Sequence, residues 1–427
     1  MSTAAPPPAP AAPQAGGDPG NPRVSAYLRD LDADPAAVHA AIQSLTPAEL
    51  AAYGARAYHL NLLSLYGESW PCERVERAAG EAMRHKLWRG WEFYAGWRRT
   101  GRAMEAAGDQ ADAAGRARVA LDGWERALET LRGAGGQAVL CTLHLGAYRD
   151  LPLDLALLGY RLTLPVNTSA YEQTMDALSR THPLLRGRWK LANVDRPGGS
   201  VALARAARQG DLLFAYVDGN TGTDGPWGEQ GRTTVRFLGF EVRVKDGMAR
   251  LAAALGAPVV PLVAPRRPDG RAEVRVGEPL HPGGRLKGEA QDRFAHDATQ
   301  ALYAFFEPHV QHAPHQWESV CFLHRWRARP QPPAAPGGAE LEAGRAYRID
   351  RRRVAVLDTA AGPVLMNVRT LRSFRVPGWA GEVLARLGAP AGVGERWLAQ
   401  AEMDEENRTR AWDFVSQLRA QGVVEPV

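Results

Sequence analysis

The chain has 427 residues, 45% of them hydrophobic, which is room for two or three packed domains and excludes a disordered chain. A formal net charge of +5 favours anionic partners, whether phosphate esters, acidic carrier proteins, acidic lipid surfaces or nucleic acid, without choosing among them. Cys72, Cys141 and Cys321 are too few and too scattered for a disulfide framework or a metal site, so a reducing cytoplasm is the expected setting.

Residues 1–24 are rich in Ala, Pro and Gly, with no basic start and no apolar centre. They read as a disordered tail and not as a signal peptide. No apolar run reaches the roughly eighteen residues of a membrane span, so no transmembrane helix is expected. Residues 25–131 read as helical. Asp34-Pro35 has the residues of a helix cap and first turn, and Thr46-Pro47-Ala48-Glu49 those of a capping box. Between Arg84 and Met104, Trp88, Trp91, Phe93, Tyr94 and Trp97 alternate with Arg84, Lys86, Arg89, Arg98, Arg99 and Arg102. The favoured reading packs the rings inward and leaves the cations in water; a membrane surface or an anionic ligand is the alternative.

From Gln137 the pattern becomes α/β. Strands are expected at 138–143, 161–166, 212–217, 233–237, 259–263 and 272–276. Helices are expected at 151–158, 171–179, 200–208 and 245–255, with a last one at about 291–310. Residues 329–340, dominated by Pro, Ala and Gly, read as a linker. The remainder, 341–427, reads as a small winged-helix-like domain, with strands at 347–357 and 363–367 and helices at 379–387, 394–402 and 405–421.

The candidate chemistry starts where the first strand ends, at His144-Leu145-Gly146. An imidazole at the C-terminal edge of an open sheet sits where ligands collect. HLGAYR followed by an apolar helix resembles the signature block of the bacterial lipid A biosynthesis acyltransferases, a branch of the lysophospholipid acyltransferase superfamily. Four later segments are similar to that family in the same order: ANVDR, ARQGDLLFAYVDGNTG, RFLGFEVRVKDGMARLAAALGAPVVPLV and PHQWESVCFLHRW. The resemblance covers about 25–330 and implies a sheet flanked by helices. It also implies acyl transfer from a thioester, carried by acyl carrier protein or CoA, to a hydroxyl or amine, with no cofactor.

On that resemblance His144 is the general base, with Asp150 as its acid, and Gly146 supplies an oxyanion amide. Arg149, Arg196, Asp218, Asn220, Phe237 and Phe240 contact substrate, Arg196 at a phosphate and the phenylalanines at the acyl chain. The family places its acid where this chain has Arg149, one residue before Asp150. Three outcomes stay open: Asp150 reaches His144, another acid such as Asp218 substitutes, or the pair is lost. In the last case the protein binds an acylated ligand or peptide without turnover. The family's membrane-bound members begin with an anchoring helix that is not seen here, so the expected acceptor is soluble or peptide-like, as in natural-product assembly, with peripheral contact at the inner membrane as an alternative. The C-terminal region resembles peptide-recognition domains of pyrroloquinoline quinone biosynthesis, which implies a peptide added along Arg351–Leu357. Nucleic acid is not expected, because no dense basic recognition helix is present.

Overall fold

The computed structural model describes residues 21–133, 137–172, 183–219, 232–327, 341–359 and 362–427. Among the described residues, seven α-helices, Pro22–Arg29 through Trp124–Gly133, precede the sheet. Of the expected tail, residues 1–20 lie outside the described residues. Residues 22–24 are already helical, because the Asn21 side chain accepts hydrogen bonds from the Arg23 and Val24 amides. Asp34 caps the next helix, and Thr46 and Glu49 form the full capping box. The longest helix, Cys72–Ala107, buries Trp91 and Trp97 and leaves Arg98, Arg99 and Arg102 exposed. Arg89 departs from that division and is buried.

The central sheet contains β1 (Val139–Thr142), β2 (Leu162–Val166), β3 (Trp189–Asn193), β4 (Leu212–Tyr216), β7 (Val259–Val263) and β8 (Arg275–Val276) in the order β3-β2-β4-β1-β7-β8. All neighbours are parallel except β8, which runs antiparallel to β7. Alternate residues of a strand face opposite sides, and here both sides are covered. Val139, Cys141, Leu213, Val259 and Val263 enter one apolar cluster, while Leu140, Phe214, Val260 and Leu262 enter the other. The strand expected at 272–276 is only two residues long. Among the described residues before the linker, β3 and β6 (Phe240–Lys245) are strands beyond those expected, and β6 pairs with β5 (Arg232–Phe237) as a separate hairpin. Of the helix expected at 171–179, only residues 171–172 are described, and they are helical.

The chain leaves β1 toward β2 and leaves β4 toward β7, in opposite directions across the sheet. The C-terminal ends of these adjacent strands therefore frame a crevice at a topological switch point. No helix among the described residues is long and apolar enough to cross a membrane.

The linker expected at 329–340 lies outside the described residues. Beyond it, the strand expected at 347–357 is broken by a turn at 350–353. Its first half, β9 (Ala346–Ile349), joins β13 (Val393–Gly394) and β14 (Val424–Pro426). The second half, β10 (Val354–Thr359), pairs with β11 (Gly362–Asn367), which pairs with β12 (Ser373–Arg375). Helices Gly381–Gly388, Glu395–Gln400 and Glu405–Ala420 pack with them over an apolar core that includes Tyr347, Val383, Leu387, Val415 and Leu418. This unit touches the N-terminal helices through Ser64 Oγ, which donates to the Val368 carbonyl at 3.1 Å, and through the Arg351–Glu76 ion pair.

Candidate active site

Parallel pairing of β1 with β4 sets Thr142 beside Tyr216, so two residues further on His144 lies beside Asp218. The Asp218 carboxylate accepts from His144 Nδ1 at 2.6 Å, from the His144 backbone amide at 3.1 Å and from Trp317 Nε1 at 2.9 Å. A carboxylate can only accept, so Nδ1 carries the proton and the lone pair is left on Nε2. The ring stacks on Tyr216 at 4.6 Å and meets Tyr148 edge-on at 4.9 Å. Burial by itself depresses the imidazole pKa, but the charges of Asp218 and Glu318 outweigh it and hold the value above the ordinary 6.5. Burial pushes the Asp218 carboxyl the other way, upward, and His144 and Trp317 together bring it below its ordinary value.

His144, with its side chain 25% exposed, opens onto a cavity of about 520 Å³. Pro165, Val166, Leu203, Val217, Met248 and Leu251 give that cavity an apolar wall, and Arg196 stands at its exposed rim. The acid next in sequence is elsewhere. Asp150 opens the helix Asp150–Leu157, and its carboxylate is held by Arg89 Nη2 at 3.0 Å and Arg266 Nη2 at 3.6 Å. The role expected of Asp150 at the imidazole is therefore corrected to Asp218, because one residue along a helix is a turn of about 100°. Arg149 donates to the Tyr148 hydroxyl at 2.7 Å, pairs with Glu318 at 3.8 Å and lies over the Phe93 ring, so it is engaged in structure and does not line the cavity.

Two further expectations are corrected. Gly146 donates its amide to the Gln316 carbonyl at 3.1 Å, which leaves no N–H for an oxyanion. What the turn requires is a glycine: φ is +62°, and a Cβ would lie 2.3 Å from the Ala264 carbonyl oxygen. Gly146→Ala is expected to lower the unfolding temperature and displace His144 together, seen as parallel losses in calorimetry and in transfer rate. Phe237 is buried against Tyr303 and Trp317, and Phe240 is covered by the Arg327 guanidinium at 3.7 Å, so neither reaches the cavity. Asn220 lies outside the described residues.

The PHQW segment closes the turn from the other side. Gln316 bonds both backbone groups of Arg266, at 2.8 and 2.9 Å, and the Glu318 amide donates to the His144 carbonyl at 2.8 Å. Trp317 is the functional side chain that motif reading named without a role. Its signal was present, since a buried indole N–H needs an acceptor.

Residues 93–328, more than half of the chain, match the model of a family described as bacterial lipid A biosynthesis acyltransferase. The chain belongs to this family. No curated protein matches it. Among the described residues of this acyltransferase-family chain, no cluster of His, Cys, Asp and Glu could hold a metal ion. Cys72 is half-buried, and Cys141 and Cys321 are buried; all three are unpaired.

Proposed function

We propose that this acyltransferase-family protein moves a fatty acyl group from a thioester, on acyl carrier protein or CoA, to a hydroxyl or amine of a lipid-like or peptide-like acceptor. The observation that carries the reading is the His144–Asp218 pair beside an apolar cavity. His144 Nε2 takes the acceptor's proton as its oxygen or nitrogen attacks the thioester carbonyl. The C–S bond then breaks, and the departing thiolate takes the proton from the imidazolium. Asp218 holds the tautomer and stabilises the imidazolium formed on the way. No acyl-enzyme is required.

Arg196 at the cavity rim supports the binding of an anionic group by a bidentate fork. In the C-terminal domain, β10 is an outer strand of its sheet, which supports strand addition by a peptide-like acceptor along 354–357, the part of Arg351–Leu357 that is in a strand. We assign the reaction to the cytoplasm, with contact at the inner membrane face where the acceptor is a lipid.

The test is transfer of labelled acyl groups from acyl-CoA and acyl carrier protein to alcohol, amine and peptide acceptors. Wild type is expected to turn over, and His144→Ala is expected to fall by roughly a hundredfold to ten-thousandfold with its fold intact by circular dichroism. Tight ligand binding with no turnover in wild type, unchanged in His144→Ala, would replace enzyme by binding protein.

A further inference from the structure

One aromatic ring stands between Arg149 and the proposed base. The Arg149 guanidinium lies 5.3 Å from the centre of the Tyr148 ring, and that ring meets the His144 imidazole edge-on at 4.9 Å. A partly buried cation so placed opposes the positive charge that His144 acquires when it takes a proton. Glu318 answers it. Its carboxylate accepts from the Tyr148 hydroxyl and pairs with Arg149 Nη2 at 3.8 Å, while its backbone amide donates to the His144 carbonyl at 2.8 Å. The same hydroxyl accepts from Arg149 Nε at 2.7 Å, so the three side chains close a ring beside the imidazole. None of the three lines the cavity.

Among the described residues, the polar groups that face His144 come from three places. Tyr216 and Asp218 stand at the end of β4, Tyr148 and Arg149 follow His144 in its own turn, and Glu318 and Ser319 belong to the segment 314–322, with Ser319 Oγ at 3.5 Å from Nδ1. Two of these carry a negative charge and one a positive charge. Protonated His144 therefore makes two cations for two acids, and without Glu318 the same buried group would carry a net positive charge. We infer that Glu318 is a positioning residue for acyl transfer, the counter-ion that lets this chain carry Arg149 where the family resemblance places an acid. Asp218 matches the charge of the imidazolium and Glu318 that of Arg149, so the site is neutral while the acceptor's proton sits on Nε2. Glu318 acts through Arg149 and through Tyr148, whose ring it fixes against the imidazole. The inference rests on the reading of His144 as the base.

The test is the pH dependence of acyl transfer in four full-length proteins: wild type, Glu318→Gln, Arg149→Met and the double variant. A glutamine carbonyl oxygen still accepts from the Tyr148 hydroxyl, so Glu318→Gln removes a charge and keeps a bond. Methionine keeps an apolar stem over the Phe93 ring. In Glu318→Gln the acid limb is expected to move to lower pH, because the lost charge is one that raises the His144 pKa, and kcat on the plateau to fall by about tenfold. In Arg149→Met the limb is expected to move to higher pH, because Arg149 lowers that pKa. The double variant is expected to bring limb and plateau back toward wild type, with KM for the acyl donor unchanged throughout. A Glu318 that only supports the fold predicts losses that add in the double variant and an acid limb at one pH in all four proteins; either result overturns the inference. Nuclear magnetic resonance titration of the His144 ring in the same proteins gives the readout without turnover. Transfer that survives His144→Ala removes the base and this inference with it. Transfer lost in His144→Ala, with a ring that titrates at one pH in all four proteins, removes this inference alone.

Discussion

Asp218→Asn is expected to lower acyl transfer by roughly a hundredfold to ten-thousandfold while the protein still folds. The size follows from how completely the carboxylate is used. One oxygen accepts from His144 Nδ1, and the other accepts from both Trp317 Nε1 and the His144 amide. An asparagine amide has one acceptor and one donor end. With its oxygen toward Trp317, its NH2 faces Nδ1 and drives the imidazole to the tautomer whose lone pair is on the wrong nitrogen. With its oxygen toward Nδ1, its NH2 meets two other donors, and no negative charge remains to stabilise the imidazolium. Asp150→Asn, by contrast, removes charge from the Arg89 and Arg266 cluster and is expected to leave the base in its working tautomer.

The pH profile carries the same sign. A general base works unprotonated, so the rate is present above the His144 pKa and falls as pH drops through it; the wild-type acid limb therefore lies above that of an ordinary histidine. In Asp218→Asn the depressing effect of burial gains weight, and the limb moves to lower pH under a much lower plateau. The stabilisation from pairing runs the other way for the two partners. The raised imidazole contributes fully below its ordinary 6.5 and loses this as pH rises through the folded value, whereas the lowered carboxyl contributes above its ordinary 3.8 and loses this as pH falls. The pair thus adds most stability between those two values.

Arg89→Met is expected to cost about 3–5 kcal/mol of stability, measured by chemical denaturation. The Arg89 side chain is 1% exposed and lies between Asp150 and Glu92, with Arg266 joining the same two carboxylates. Without it, two acids share one guanidinium whose own pKa burial already lowers. The cluster ties the long helix Cys72–Ala107 to the start of the helix that follows His144, so its loss loosens the turn carrying the base. Asp150→Asn combined with Arg89→Met is expected to recover part of the cost, because it removes one of the stranded charges.

Much of the sheet was legible because its central strands are short apolar runs of β-branched and leucine residues, buried on both faces. β3 was not, since Lys190 and Asn193 interrupt it; Lys190 pays its way by an ion pair with Asp211 at 3.0 Å. The position of His144 could be read from the end of an apolar strand. Its acid could not be settled that way, because spacing along the chain favours Asp150 and only the pairing register of two strands 74 residues apart brings in Asp218. Arg89 resembled its exposed neighbours on a helix where Arg recurs, and nothing local marks it as buried. Phe237 and Phe240 illustrate the opposite error: aromatic residues at a hairpin suit an acyl wall equally well as a core, and here they serve the core.

The most direct measurement is a nuclear magnetic resonance titration of the His144 ring in wild type and Asp218→Asn. The account predicts an Nδ1-protonated ring titrating above 6.5 in wild type and at a clearly lower pH in the variant. A single titration curve shared by both proteins would contradict it.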